Sequence, residues 1–232
     1  MQTMRTSSIF VLAAFLSLAS ASGLAAEGIS RKENLDLPFD SLETYETEEA
    51  APEVVVFFGQ AYECDAIFYC LDRSSSTCRG VLALEKREAI RKVQEFLANM
   101  QFGFVFFDRG IRKFPSDGRP ARATPDQKSA VISYLSALQC GGGTCVLRGM
   151  LETLKYVSLC NARRAVVVYM GDGGTSCPGA DLLEYARRAL RQIRKANTKN
   201  VPIHALVGAE SWFAKEQVRM NNGKLTPLGL GR

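Results

Sequence analysis

The chain has 232 residues, 47% of them hydrophobic and 23% charged, which excludes a disordered chain and leaves room for one sizeable core. The formal net charge of +5 is unevenly spread: nine acids against Arg31 and Lys32 give residues 27–53 a net of −7, whereas Val54 onward carries +11. No apolar run of membrane-spanning length occurs after the first residues, so the composition also excludes a multi-span membrane protein.

Taken in chain order, residues 1–25 read as a signal peptide. Arg5 supplies positive charge, Ile9 to Leu18 form a short apolar core, and Ala19-Ser20-Ala21 or Gly23-Leu24-Ala25 offers a small-residue cleavage site. Residues 26–53 are expected to be an irregular acidic arm or linker, because Leu35, Leu37, Phe39 and Leu42 are scattered among acids without a period. The domain proper is expected over 54–232, with Val54–Phe58 as an extra edge strand at its start. Ala66–Asp72 is mostly apolar, rich in aromatic and branched residues and ends on a carboxylate, the pattern of a strand buried on both faces. A helix follows, with Leu82, Lys86, Ala89, Ile90, Val93, Leu97 and Met100 on one side. Phe102–Phe107 is the next strand, and Asp108-Arg109-Gly110 turns it back into Ile111–Phe114 as an antiparallel edge.

Thr124 before Pro125, with Gln127 three residues on, is the start signal of a helix whose inner side is Ile132, Leu135 and Leu138. Gly141-Gly142-Gly143-Thr144 is a flexible loop carrying one hydroxyl, and Val146–Leu159 is helical. Arg163–Met170 is a second buried strand, ending in Gly171-Asp172-Gly173-Gly174. A helix over about Ala180–Asn197, a strand over Pro202–Val207, a helix around Trp212–Arg219 and a short strand near Lys224–Thr226 complete the pattern. Strands alternating with helices predict a doubly wound, mostly parallel α/β sheet with helices on both faces and one antiparallel edge strand.

Two strand ends stand out. In open α/β sheets ligands bind outside the carboxyl ends of the strands. Asp72, Ser74 and Ser76 fall at one such end, Asp172 at another, and Thr144 on the glycine loop between them. Hard oxygen donors of this kind suit Mg²⁺ or Mn²⁺ better than a thiophilic metal. This set resembles the metal-ion-dependent adhesion site of von Willebrand factor type A (vWA) domains: Asp-x-Ser-x-Ser, a Thr after a Gly-rich loop, and an Asp after a later strand. All five positions, Asp72, Ser74, Ser76, Thr144 and Asp172, are present and in order. Two positions depart from the family pattern: Ser75 stands where Gly is usual, and Gly171 where a hydroxyl often precedes the Asp. The resemblance covers roughly Asp65 to Gly208. It implies a Mg²⁺ site (or Mn²⁺ or Ca²⁺) in which the hydroxyls ligate directly or exchange with water, and the carboxylates often act through water. It further implies an exported, non-enzymatic module that binds a protein partner through a cation-bound Asp or Glu.

The competing readings are a Mg²⁺-dependent phosphoryl hydrolase on a similar sheet, or a structural vWA module whose metal site is unused. No acid stands two positions after Asp72, no Lys lies near the glycine loop, and there is no Gly-x-Ser-x-Gly elbow, which argues against the hydrolase. The seven cysteines, in an exported chain, allow disulfides. Cys78, Cys140, Cys145 and Cys177 all fall at the metal-binding end, where three pairings are open and the Cys-x-x-Cys spacing of zinc sites is missing. Cys70, inside a strand, reads as a small core residue. Arg187, Arg188, Arg191, Arg194 and Lys195 share one side of their helix, as a solvated basic face or a surface for an anionic partner. His204, the one histidine, reads as core.

Overall fold

The structure, a computed structural model, describes residues 51–228 apart from 178 and 180. The predicted signal peptide and all but the last three residues of the predicted acidic arm lie outside the described residues.

Strand β1 (Glu53–Phe57) and strand β2 (Gln60–Cys64) pair with each other as a separate two-stranded sheet. Its two-residue turn places Phe58 and Gly59 at positive φ, the requirement of the tight hairpin turn whose twist suits the strands. Val54–Phe58 is therefore not an edge of the main sheet. Val55, Phe57, Tyr62 and Cys64 alternate inward along the hairpin, and it packs by that side onto the sheet face, the Phe57 and Tyr69 rings lying 4.8 Å apart.

The main sheet begins with β3 (Ala66–Asp72), every residue of which is buried. Helix α1 (Val81–Glu95) returns the chain to β4 (Gln101–Phe107), which pairs parallel with β3 on one side. Strand β5 (Ile111–Phe114) folds back antiparallel on β4 as the sheet edge, as the turn residues predict, and the two-residue β6 (Ala121–Arg122) adds a second antiparallel pairing to β4. After helices α2 (Pro125–Ala137) and α3 (Val146–Leu159), β7 (Ala165–Gly171) enters on the other side of β3, also parallel. Helix α4 (Leu182–Ala196), β8 (Ile203–Val207), α5 (Trp212–Met220) and β9 (Leu225–Pro227) continue in that direction, giving the order β5-β4-β3-β7-β8-β9. The winding thus reverses between β3 and β7, and a crevice opens at their carboxyl ends.

Side chains alternate across the sheet and build a core layer on each face. Phe68, Cys70, Val167, Tyr169 and Ala205 pack under α3, α4 and α5; Ile67, Tyr69, Leu71, Val168 and Met170 pack under α1, α2 and the hairpin. Each fully buried large apolar side chain contributes about 1.5–3 kcal/mol.

The helices follow the predicted boundaries closely, but their inner faces differ in detail. Thr124 caps α2 as expected, accepting from the Gln127 N–H, yet Val131 rather than Ile132 shares the buried side with Leu135. In α1 the buried set is Leu82, Glu85, Ala89, Lys92 and Val93, while Leu97 beyond its end is exposed. Lys92 lies along the core by its apolar stem, its ammonium bonding Glu95 at 2.6 Å. In α4, Tyr185 joins Ala186, Ala189, Leu190 and Ile193 inside, whereas Leu182 and Leu183 are exposed at the first turn.

Candidate functional site

Asp72 ends β3 and is fully buried. Its Oδ1 accepts from the Ser74 N–H at 2.7 Å, a local turn that reverses the chain at the rim. The Ser74 carbonyl in turn accepts from both the backbone N–H and the hydroxyl of buried Thr77, which fixes the following 3-10 turn Thr77–Arg79. Ser76 Oγ donates to Asp172 Oδ2 at 2.6 Å, across 96 positions of sequence. A hydroxyl carries one proton, so the 3.0 Å contact between the Ser74 and Ser76 hydroxyls has Ser74 as donor. Asp172, immediately after β7, accepts the Gly174 N–H with its other oxygen at 2.8 Å. Four of the five predicted residues are thus joined by direct hydrogen bonds.

The fifth, Thr144, is buried on the neighbouring loop. Its N–H donates to the Ser176 carbonyl at 3.2 Å, and the Cys145–Cys177 disulfide fastens the same two loops. Among the described residues no hydrogen bond joins the Thr144 side chain to the other four. A second disulfide, Cys78–Cys140, ties the loop after β3 to the glycine loop, whose Gly141 N–H also donates to the Arg73 carbonyl at 2.7 Å. The four rim cysteines therefore pair in one of the three arrangements open in the sequence. Cys64, Cys70 and Cys160 are free and buried.

Solved structures with this arrangement of strands and helices include a von Willebrand factor type A protein from Catenulispora acidiphila, with a TM-score of 0.59 and 16% identity, covering 70% of this chain and 38% of that one. The PilB minor pilin from Streptococcus sanguinis matches at 0.54 and 10% identity, over 70% of this chain and 56% of that one. The vWF domain of the type V pili tip protein Mfa5 from Porphyromonas gingivalis matches at 0.52 and 10% identity, over 71% and 90%. The fold is that of a vWA domain. No family profile and no curated protein sequence matches the chain.

Within this vWA fold, the departure at Gly171 has a steric reason. A Cβ there would sit 3.0 Å from Asp72 Cβ and 3.3 Å from both Asp72 Oδ2 and the Tyr169 hydroxyl. The space that a hydroxyl residue would fill is taken by the Asp72 carboxylate and the phenol. Asp72 Oδ2 and the Tyr169 hydroxyl are both buried and have no hydrogen-bond partner among the described residues.

Burial pushes the Asp72 carboxyl up to about 7; the hydrogen bond from the Ser74 N–H opposes this, and the Asp172 and Asp108 charges add to it. Two further acids shape the site and escaped the sequence reading. Asp108, after β4, is buried and pairs with Arg73 at 2.7 Å, while its Oδ1 accepts from Gly110 at 2.6 Å. It occupies a strand's carboxyl end beside β3, the same signal that singled out Asp72 and Asp172, but the turn Asp108-Arg109-Gly110 accounted for it. Glu85, on the inner side of α1, is fully buried with both oxygens unpartnered; burial first, then the Asp72 and Asp172 charges, hold its pKa well above the ordinary range. Its spacing from Leu82 and Ala89, three and four residues, was the one available signal.

Proposed function

We propose that this vWA domain is an exported protein-binding module that engages a partner's Asp or Glu through a divalent cation, Mg²⁺ or Mn²⁺, held by Asp72, Ser74, Ser76, Thr144 and Asp172. The observation that carries this reading is the Ser76–Asp172 hydrogen bond, which closes the hydroxyl loop after β3 onto the carboxylate after β7, beside a buried Asp72 Oδ2 that has no donor among the described residues. Among the described residues no group of three or more His, Cys, Asp and Glu side chains could hold a metal. The convergent donors are instead hydroxyls with two carboxylates, and that set fits a hard cation and not zinc.

When bound, such a cation supplies a Lewis-acid position open to an outside oxygen. Asp72 and Asp172 balance its charge, so an incoming carboxylate meets no net repulsion. Ser74 and Ser76 present lone pairs on a loop fixed by Thr77. The two disulfides hold the loops in register, which lowers the ordering cost of binding. Every one of these residues has a role as a donor to the cation or as its counter-charge, and binding without turnover is the function they support.

Export is supported by the two disulfides, and among the described residues no helix is long and apolar enough to cross a membrane. The same fold also serves in a minor pilin and in a pilus tip protein. The test is capture of a partner from exported proteins of the source, with Mg²⁺ and again with EDTA. Binding is expected to vanish in EDTA and in Thr144→Ala; a partner whose affinity is unchanged by both would overturn the adhesion reading.

A further inference from the structure

Beside the metal loops, on the β5 side, lies a cleft of about 440 Å³ lined by Arg73, Arg112, Tyr134, Leu138, Gln139 and Cys140. Arg73 is the residue between Asp72 and Ser74, so the cleft begins where the proposed metal site ends. Its guanidinium is fixed as one wall: one terminal nitrogen donates to the Gln139 carbonyl and the other to Asp108, both at 2.7 Å. Asp108 thereby neutralises Arg73. Arg112, exposed on β5, is in no ion pair among the described residues, so it is the uncompensated positive charge at the cleft.

Two donors on the lining side chains are also unused. Arg73 Nε and the Tyr134 hydroxyl are buried and make no hydrogen bond among the described residues. A buried donor left unpaired costs about 1–3 kcal/mol, and most such groups in folded proteins find a partner. Both guanidiniums lie near enough to Tyr134 for their charges to favour its ionised form, against burial, which pushes the hydroxyl up to about 12. The phenol therefore stays protonated and available as a donor at neutral pH.

We propose that this cleft is a second binding site, for a carboxylate carried by the partner next to the one that reaches the metal, with Arg112 as its charge partner and Tyr134 as a neutral donor. The proposal deepens the reading above and rests on it for the partner's acidity. It selects partners that carry two neighbouring acidic groups over those that carry one. The cleft itself needs no cation, which separates its test from that of the metal site.

The experiment is an NMR titration of the folded chain in EDTA with succinate, and in parallel with inorganic phosphate, following the Arg side-chain N–H and the Tyr134 ring signals. Succinate is expected to give saturable shifts at Arg73, Arg112 and Tyr134. Arg112→Ala should weaken it about tenfold or more, whereas Arg191→Ala on α4 should leave it unchanged. Tyr134→Phe, which keeps the ring, should also weaken it. Non-saturating shifts, equal affinity in wild type and Arg112→Ala, or a response to phosphate alone would each overturn the carboxylate site. Because the metal is chelated throughout, such a failure leaves the metal reading untouched, and that reading fails separately if cation has no effect on the native protein.

Discussion

Burial acts on Glu85 and His204 with opposite signs, because it penalises whichever form carries charge. Glu85 is held protonated well above the ordinary carboxyl range, and His204 is held neutral, its pKa lowered to about 4 first by burial and then by the Lys224 charge. The His204 ring packs at a tilt against Tyr62, the centroids 4.8 Å apart, and its Nδ1 accepts the Lys224 N–H at 3.2 Å, so the neutral imidazole is the form the fold uses. The ring is half-buried, at the margin of the core in which the sequence placed it. For a folded-state pKa below the unfolded 6.5, the stabilisation is complete above 6.5 and is lost as pH falls through about 4. As the chain has a single histidine, its imidazole resonance can be followed unambiguously by NMR. We expect a midpoint near 4 in the folded protein; one near 6.5 would mean that the ring is solvated.

At the scale of elements, the rim is a set of loops locked to one another, and the glycine loop shows how tightly. A Cβ on Gly141 would overlap the Asp108 carboxylate, whereas one on Gly142 would meet nothing within 4 Å. Gly141→Ala must displace Asp108 and with it Arg73, and is expected to cost about 1–3 kcal/mol. Gly142→Ala should be close to neutral. Chemical denaturation of the two variants decides the point, and equal midpoints would contradict the packing. The strands and helices themselves were legible because their patterning reports burial directly: Ala66–Leu71 and Ala165–Gly171 are apolar runs and are buried throughout. What escaped was whatever that patterning does not carry. Strand β2, Gln60–Cys64, hides because only Tyr62 and Cys64 turn inward from a polar run. Glu85 and Lys92 are buried although charge usually faces water, and Leu182 and Leu183 are exposed although they are apolar.

For the whole molecule, the site was legible to the extent that chemistry and order define it. Five residues scattered over a hundred positions were picked out by type and by their place at strand ends, and the topology brings four of them into hydrogen-bond contact. Asp108, Gly171's steric role and the cleft at Arg112 depend on which loops touch, and loop contacts leave no periodic trace in sequence. The positive charge of residues 54–232 should draw in an acidic partner, an attraction weakened by salt, but the cation is the decisive element of the site. Its most direct test is thermal unfolding of the native protein in EDTA and in rising MgCl₂ or MnCl₂. Wild type is expected to gain about 2.7 kcal/mol at roughly a hundredfold excess over Kd, and Asp72→Ala to gain nothing. The same rise in both proteins, or in neither, would contradict the metal site.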